Sequence, residues 1–519
     1  MCSQQRPLQN HLIISNVAKY LKFKELKNFR LVCRQWNLSS KPFYQHKSCV
    51  IFKSDDGRTR IRKFLKEKFD IFVNFKFIDI DFRDKYRKIF TFFAEQLGCV
   101  VREVAIVKCE ADYAEILNHF KNLNVLSIAL PPICNEDNVN NNIEMESQSK
   151  IATNLNVKCL EITGRLVEGN VNEFCWNNLI QAFPNTEIFG GQCRGSEDLT
   201  ALLSTLSSGQ SSPLGKLSDF SCVLTDLHNS HLEMLFSISS NLTNIDLSLA
   251  ESVDASLLTT LLGKYAVILK SIKLFRDSNI PLILFKGQDA NYSFKSLVTL
   301  EIPCNMIASL DFLQLTPILK NFSLTQFGDG DVTFHNVLVR NSNPRLVFEN
   351  LQSFSFEYFL APDCIQNVLK MFPNLKRLST YLTDDTARAV FQDGLLLQEL
   401  IVLGTQLSDE GITGVPLNLL ERKYRFMKDY RKNPYIGDLK NLWRLVLYPQ
   451  PQEKITDLSV IYGFMDVGNL TCIDIPETAI SDEGIETLQR KSNLVTLISP
   501  FYTPDGCIYS RPIELQQLR

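Results

Sequence analysis

The feature that most constrains this chain is an apolar pattern that recurs along most of its length. Each copy reads as an apolar residue, two others, an apolar residue, one other, and a third apolar residue. Three successive copies begin at Leu242, Leu269 and Leu297, so their spacings are 27 and 28 residues. Further copies toward the C-terminus begin at Leu319, Leu351, Leu375, Leu397, Leu442, Leu470 and Leu494. Weaker copies toward the N-terminus begin at Leu217, Thr186, Val157, Leu123, Val101 and Phe75. The mean spacing is near 28 residues, within the roughly 20–29 residues of a leucine-rich repeat.

The spacing has a simple physical reading. The last two apolar positions of each copy lie two residues apart, which places them on one face of a short strand. One such unit cannot bury its apolar side alone, so it stacks on its neighbours, and the rest of the unit returns the chain as a helix. The alternative, an α-solenoid of helical pairs, requires a period of about 3.6 residues throughout. The pattern therefore predicts an α/β fold: a leucine-rich-repeat solenoid (horseshoe) of about 16 repeats over residues 73–500.

A second motif follows four of the predicted strands. An apolar residue, then Ser or Thr, then Asp occurs at Asp226, Asp384, Asp409 and Asp482. Two copies extend to the same pentad, Ser-Asp-Glu-Gly-Ile, at 408–412 and 481–485. Ser and Asp accept hydrogen bonds from the unpaired amides at a helix start, so the motif predicts the beginning of each returning helix.

Two intervals between copies are unusually long. The interval from Leu123 to Val157 contains the polar stretch 135–150, which predicts a loop. The interval from Leu397 to Leu442 holds either a degenerate repeat or an insertion, and it includes the basic run 421–432. We interpret this run as a solvated helix face, with a docking patch as the alternative.

Composition excludes several classes of protein. The formal charge of −2 over 519 residues argues against nucleic acid or an anionic membrane as the main partner. No apolar run is long enough to span a membrane. The 14 cysteines are scattered and form no CxxC pair, which predicts reduced thiols in the cytosol or nucleus. We find no catalytic set and no cofactor or metal motif, since His228 and His231 lack a third ligand at suitable spacing.

The N-terminal segment lacks the repeat and predicts short helices, with Ile13, Ile14, Val17 and Leu21 on one helical face. It continues as Tyr20-Leu21-Lys22-Phe23-Lys24-Glu25-Leu26-Lys27-Asn28-Phe29-Arg30-Leu31-Val32-Cys33-Arg34-Gln35-Trp36. This stretch resembles the middle of an F-box, and Ser40-Lys41-Pro42-Phe43-Tyr44 resembles its third helix. An F-box followed by leucine-rich repeats is similar to the substrate receptors of SCF ubiquitin ligases.

The resemblance implies an organisation and a function. An all-helical F-box-like domain covers residues 8–50, a linker or first helix 51–72, the repeats 73–500, and a tail 501–519. The F-box would bind a Skp-type adaptor and, through it, a cullin, and the repeats would hold a protein for ubiquitination and degradation. The chain itself would not be an enzyme. The expected adaptor-binding residues are Ile13, Ile14, Val17, Leu21, Leu26, Val32 and Trp36. The alternative is a non-enzymatic scaffold or inhibitor whose helical head only caps the repeats.

The outward strand positions predict where a target binds. Ten acidic residues are expected there, and the only expected cations are Lys273, Arg377 and Arg444. The acids are Asp79, Asp81, Glu103, Glu161, Asp219, Asp246, Glu301, Glu357, Glu399 and Asp474. Such a surface is expected to favour basic or neutral targets. The C-terminal strands turn apolar, which predicts a target-docking end, unless the tail folds back over it. The residues expected at this end are Tyr381, Ile401, Leu403, Val446 and Tyr448.

Overall fold

The computed structural model describes residues 11–21, 26, 29, 31–32, 36–37, 39–40, 43, 49–53, 74–78, 87–107, 118–129, 153, 156–163, 183–192, 200, 203–204, 215–276, 278, 282–284, 292–325, 342–343, 345–420, 430–431, 433–448, 454–475, 478–491, 494, 496–502 and 508–514. The chain divides into two compact units. The first comprises Met1–Leu242 and Asp246–Ser248, and the second Thr243–Ile245 and Leu249–Arg519. The division runs through strand β8 (Asn244–Leu249).

The first unit is built on parallel strands. These are β1 (Cys49–Lys53), β2 (Asn74–Ile78), β3 (Glu103–Val107), β4 (Val125–Ala129), β5 (Cys159–Thr163), β6 (Ile188–Gln192) and β7 (Asp219–Leu227). Each strand pairs in parallel with the next one along the chain. The described helices of this unit are α1 (His11–Tyr20), α2 (Arg87–Leu97) and α3 (Asn229–Ile238).

The second unit repeats the arrangement. Its strands are β9 (Ser271–Phe275), β10 (Thr299–Pro303), β11 (Asn321–Thr325), β12 (Ser353–Phe359), β13 (Arg377–Thr383), β14 (Glu399–Gln406), β15 (Arg444–Leu447), β16 (Cys472–Asp474), β17 (Thr496–Tyr502) and β18 (Ile508–Glu514). Each strand from β9 to β16 pairs in parallel with its successor in sequence. This order of parallel strands confirms the predicted α/β leucine-rich-repeat fold.

The returning segments of the second unit are helical. The described α-helices are α4 (Ala255–Tyr265), α5 (Pro362–Met371), α6 (Asp384–Asp393), α7 (Asp409–Thr413), α8 (Leu417–Leu420), α9 (Asp457–Tyr462) and α10 (Asp482–Gln489). Short 3₁₀ turns complete other repeats, at Cys304–Met306, Leu310–Leu315, Ile436–Asp438 and Phe464–Asp466.

Two-residue alternation places the core on one side of each strand. In β9, Ile272 and Leu274 are fully buried, while Lys273 between them is half-buried. Buried side chains of neighbouring strands contact one another, as where the rings of Phe322 and Phe354 lie 5.6 Å apart. Burying a side chain of this size contributes about 1.5–3 kcal/mol, so stacking supplies the stability that one repeat lacks.

All but one of the predicted repeat starts occupy the first apolar position of a repeat. All from Val101 to Leu494 are buried. The repeat start predicted at Phe75 is wrong by three residues. Phe75 pairs with Val104, the second apolar position of the next repeat, so it is itself a second apolar position. The structure also adds β1 before it, which pairs with β2.

An asparagine before the first apolar position joins many repeats to the preceding one. In a representative case, the side-chain amide of Asn374 donates to the backbone carbonyl of Glu349 at 2.9 Å. Such a bond satisfies a turn carbonyl that no strand neighbour reaches. The asparagines that donate in this way are Asn122, Asn156, Asn241, Asn350, Asn374, Asn441 and Asn469.

The Ser/Thr-Asp motif also connects successive repeats. The carboxylate of Asp384 accepts hydrogen bonds from the backbone N–H of Ser408 at 2.7 Å and from its hydroxyl at 2.6 Å. The motif aspartate of one repeat thus holds the helix start of the next. The same pair of bonds joins Asp409 to Thr456 and Asp457 to Ser481.

The predicted helix cap is confirmed at only part of the motif. Ser481 accepts from the N–H of Gly484 and caps α10, whereas the side chain of Ser408 makes no such bond at α7. At Asp226 the prediction is wrong, because the residue lies within β7 and α3 begins only at Asn229. There the strand continues past the motif, and Asp226 accepts from the hydroxyl of Ser248 instead.

The interval from Leu397 to Leu442 is an insertion within one repeat. Strands β14 and β15 pair directly, so no degenerate strand lies between them. Of the basic run, Arg431 is described, and it is not a solvated face residue. Its guanidinium lies 2.7 Å from the carboxylate of Asp466 and 3.9 Å from the ring centre of Tyr435. The polar stretch 135–150 lies outside the described residues.

The described part of the tail lies at the edge of the last repeat. Strand β18 pairs antiparallel with β17, with Thr496 opposite Glu514 and Tyr502 opposite Ile508. The paired backbone of this segment extends the sheet sideways, rather than crossing the strand face as a lid would. A covered edge removes a row of unpaired backbone groups from solvent.

Candidate protein-binding surface

The outward strand positions of the C-terminal repeats form three columns. The first column precedes the first strand anchor, the second lies between the anchors, and the third follows them. The pairing of β13, β14, β15 and β16 keeps the first two columns in register. We name the resulting surface the C-terminal face: Arg377, Glu399, Arg444 and Cys472 in the first column, Ser379, Ile401, Val446 and Asp474 in the second, and Tyr381, Leu403 and Tyr448 in the third.

Charged side chains in the first column form a ladder. Arg377 donates from Nη2 to Glu399 Oε1 at 2.8 Å and from Nε to Oε2 at 3.1 Å. Arg444 donates from Nη1 to Oε2 at 3.2 Å from the other side. These hydrogen bonds, chiefly those from Arg377, hold the pKa of Glu399 below its ordinary value. Sequence reasoning treated the three charges separately and missed the ladder, although Arg, Glu and Arg occupy the same position of successive repeats.

The apolar part of the face is only partly open. Ile401 and Leu403 are half-buried, and Val446 is buried. Tyr448 is 50% exposed, and the ring of Tyr381 lies 5.0 Å from that of Phe359. The structure therefore brings all five predicted C-terminal residues to one face, with Tyr448 the most accessible of them.

The two residues that β16 contributes to the C-terminal face, Cys472 and Asp474, have half-buried polar side chains. Burial raises the pKa of the Cys472 thiol. Burial also raises the pKa of Asp474, against the opposing influence of Arg444. The thiol gains no reactivity from its surroundings, because a thiol with a raised pKa carries little thiolate near neutral pH.

The predicted acidic residues of the central strands lie on outward positions. Glu301 is half-buried and forms an ion pair with Lys273 at 3.3 Å. Asp246 is also half-buried. The expected cations of this surface omitted Lys76. In the correct register Lys76 lies between the buried Phe75 and Phe77 of β2, which is an outward position. Asp79 and Asp81, assigned to this surface by the wrong register, lie outside the described residues.

The predicted adaptor-binding residues divide between core and surface. Ile14 and Leu26 are buried, and Leu21 and Trp36 are half-buried, with the Trp36 ring 4.2 Å from that of Phe29. Ile13 lies in α1, but its side chain is outside the described residues.

Three apolar side chains of the same segment face solvent. Val17 is 45%, Leu31 80% and Val32 61% exposed. Leu31 was absent from the predicted set, although it immediately precedes Val32. Single exposed apolar residues are ordinary, whereas a contiguous patch of them marks a contact surface.

The two histidines serve the start of α3. The Nδ1 atom of His231 accepts from the backbone N–H of His228 at 3.2 Å, and its Nε2 atom lies 2.7 Å from the hydroxyl of Thr200. Both ring nitrogens are thus engaged. Within the described ranges, no group of three or more His, Cys, Asp or Glu side chains is arranged to hold a metal ion.

Comparisons with known proteins give no family assignment. No family model matches the chain, and no curated protein matches it. Among solved structures, a TLR13–ssRNA13 complex is similar at 13% identity and a TM-score of 0.32, covering 81% of this chain and 52% of that one. The chain therefore spans about half the length of that protein.

Two internalins of Listeria monocytogenes str. 4b F2365 are also similar to this chain. Internalin inlF matches at 14% identity and a TM-score of 0.26, covering 67% of this chain and 77% of its own. Internalin C2 matches at 14% identity and a TM-score of 0.24, covering 58% and 92%. Across the described part of the chain, none of the helices has the length and apolarity needed to cross a bilayer.

Proposed function

We propose that this chain is the substrate-recognition subunit of an SCF-type (cullin-RING) ubiquitin ligase in the cytoplasm or nucleus. Its N-terminal helical segment binds a Skp-type adaptor that connects it to a cullin, and its repeats bind the target protein. The observation that carries this proposal is the F-box-like segment ahead of the repeats, in which α1 buries Ile14 and leaves Val17 exposed. Val32 adds a second exposed apolar side chain to the same segment.

The proposed mechanism needs no reacting group in this chain. Holding a target beside the ligase raises the effective concentration of its lysines around the ubiquitin-conjugating enzyme. The repeats supply the holding surface, and the C-terminal face offers the aromatic and arginine side chains that dominate binding energy in protein interfaces. The chain is therefore proposed to be a non-catalytic subunit, without cofactor or metal.

The second candidate is a scaffold or inhibitor that uses the same repeats without a ligase. It is supported by the burial of Ile14 and Leu26, because a helical cap on the first repeat needs an apolar inner side. The exposed Val17, Leu31 and Val32 favour the first candidate, because a cap presents a polar outer surface.

Co-purification separates the two candidates. The full chain is expressed with an affinity tag, and the recovered material is probed for a Skp-type adaptor and a cullin. The ligase proposal predicts both proteins in amounts comparable to the chain. Recovery of the folded chain without either protein would favour the scaffold.

A further inference from the structure

We propose that the C-terminal face binds a protein segment in which an acidic residue stands beside an aromatic or aliphatic one. This inference rests on the proposed function, since it states the class of target that the repeats hold. It reverses the earlier expectation of basic or neutral targets for this end of the chain.

The ladder presents positive charge to a partner. The side chain of Glu399 is 11% exposed, whereas those of Arg377 and Arg444 are 47% and 40% exposed. An approaching chain therefore meets two guanidinium groups, with the carboxylate that orients them lying beneath. Each guanidinium has five N–H donors in a fixed fork, so Arg377 keeps donors beyond the two that it gives to Glu399. Carboxylates are the side chains that such a fork binds best.

Apolar side chains flank the ladder on the same strands. Ile401 lies two residues after Glu399, so the two columns are about 6–7 Å apart along the strand. Tyr448, half exposed in the third column, supplies the aromatic contact. In an extended segment, side chains two residues apart point to the same side and lie about 6–7 Å apart, which matches this separation. One of them can pair with an arginine while the other covers the apolar columns.

Asp474, the other acidic residue of the C-terminal face, does not cancel the preference for an acidic segment. Asp474 lies in the row beyond Arg444 and in the second column, so it borders one end of the ladder. Arg377, at the opposite end, has Glu399 as its ladder partner. A basic segment would meet the two guanidinium groups before any carboxylate of the ladder, and like charge lowers both its association rate and its affinity.

Selection from displayed peptides tests this inference. The full chain is immobilised and used to select from a library of random linear peptides, and the recovered peptides are titrated by fluorescence anisotropy. The expected peptides carry Asp or Glu two residues from Phe, Tyr, Trp or Leu. We expect Arg444→Gln or Tyr448→Ala to weaken them by about tenfold, and Arg444→Lys to retain part of the affinity. Arg444→Gln leaves the bidentate Arg377–Glu399 pair in place, so the strand keeps its support.

Lys273→Gln is the matched control, because Lys273 is an outward cation of the second unit, paired with Glu301, away from the ladder. It should leave the affinity unchanged. Selected peptides rich in Lys or Arg would overturn the inference, as would acidic peptides indifferent to both Arg444 and Tyr448. Adaptor co-purification is scored on the same variants. Adaptor capture that persists while the peptide result fails removes this inference alone, and loss of adaptor capture by the unmodified chain removes the ligase proposal.

Discussion

Glu399 shows how one residue organises its surroundings. It is nearly buried, and it is neutralised by Arg377 on one side and Arg444 on the other. Charge-assisted hydrogen bonds contribute about 1.5–3 kcal/mol each when well shielded, and less where solvent screens the arginines as here. The ladder therefore both stabilises three repeats and fixes the arginines that a partner meets.

The ladder predicts a pH dependence with a definite sign. The folded-state pKa of Glu399 is below its ordinary value, so its stabilisation is complete above the unfolded pKa of about 4.3 and is lost as the pH falls through the folded-state value. Glu399→Gln should lower stability by about 1–2 kcal/mol at neutral pH. The difference between variant and unmodified chain should shrink as the pH falls below about 4.3, as measured by urea midpoints between neutral pH and about pH 3.

The control for this prediction is Glu349→Gln, which removes an exposed carboxylate from a turn of the same unit. It should have the same urea midpoints as the unmodified chain at every pH. Glu399→Gln behaving like the control would show that the ladder contributes no stability.

At the scale of the element, the pentads explain why a glycine recurs at one helix position. A Cβ atom on Gly484 would overlap Asp457 Oδ1, the acceptor that holds the start of α10, and would lie 2.7 Å from Ile480 Cγ2. Alanine stabilises a helix by about 1 kcal/mol relative to glycine. Here, however, its Cβ would displace the Asp457 carboxylate, which accepts two hydrogen bonds from Ser481. We therefore expect Gly484→Ala to destabilise the chain by about 1–3 kcal/mol, as read from thermal or urea midpoints.

Two comparisons sharpen that prediction. Gly468→Ala places its Cβ in open space and should change stability by no more than about 0.5 kcal/mol. Asp457→Ala removes the nearer obstacle but leaves Ile480 Cγ2 close to the added Cβ, so Gly484→Ala should be less destabilising in that background than in the unmodified chain. A destabilising effect of equal size in both backgrounds would contradict the steric explanation.

The repeats could be predicted because their signal is long and periodic. Buried leucines recur near every 28 residues, and each predicted start from Val101 onward is buried. The register failed at Phe75 because Phe75, Phe77 and Ile78 offer two alternative sets of anchors at the correct spacing. Strand β1 gave no signal, because the residues just before Cys49 are polar and continue no repeat pattern.

Features that depend on neighbouring strands were harder to predict. The Arg377–Glu399–Arg444 ladder joins residues 22 and 45 positions apart, and only the aligned register makes them neighbours. Strand β18 has no repeat signature, and its antiparallel partner follows from the edge left open by β17. The target-binding and adaptor-binding assignments remain predictions, although the structure places their residues.

At the scale of the whole molecule, the tail closes an edge that would otherwise invite association. Removing residues 503–519 deletes β18 and leaves the backbone groups of β17 unpaired on one side. An open edge strand is a template for pairing with another chain. The truncated chain should associate as its concentration rises, as seen by light scattering. Identical scattering from the truncated and full chains would show that β18 does not protect the edge.

In the proposed function, the exposed apolar residues of the N-terminal segment dock on an adaptor. The most direct test of this docking is the affinity of the purified chain for a recombinant Skp-type adaptor, comparing Val17→Asp/Val32→Asp with Val347→Asp. All three valines are exposed, at 45%, 61% and 54%, so the variants should unfold at the same temperature as the unmodified chain. A charge buried in an interface without a partner costs several kcal/mol.

Docking through Val17 and Val32 predicts tight binding by the unmodified chain and by Val347→Asp, and a loss of about a hundredfold or more in the double variant. Equal binding by all three proteins, or no binding by the folded unmodified chain, would contradict it.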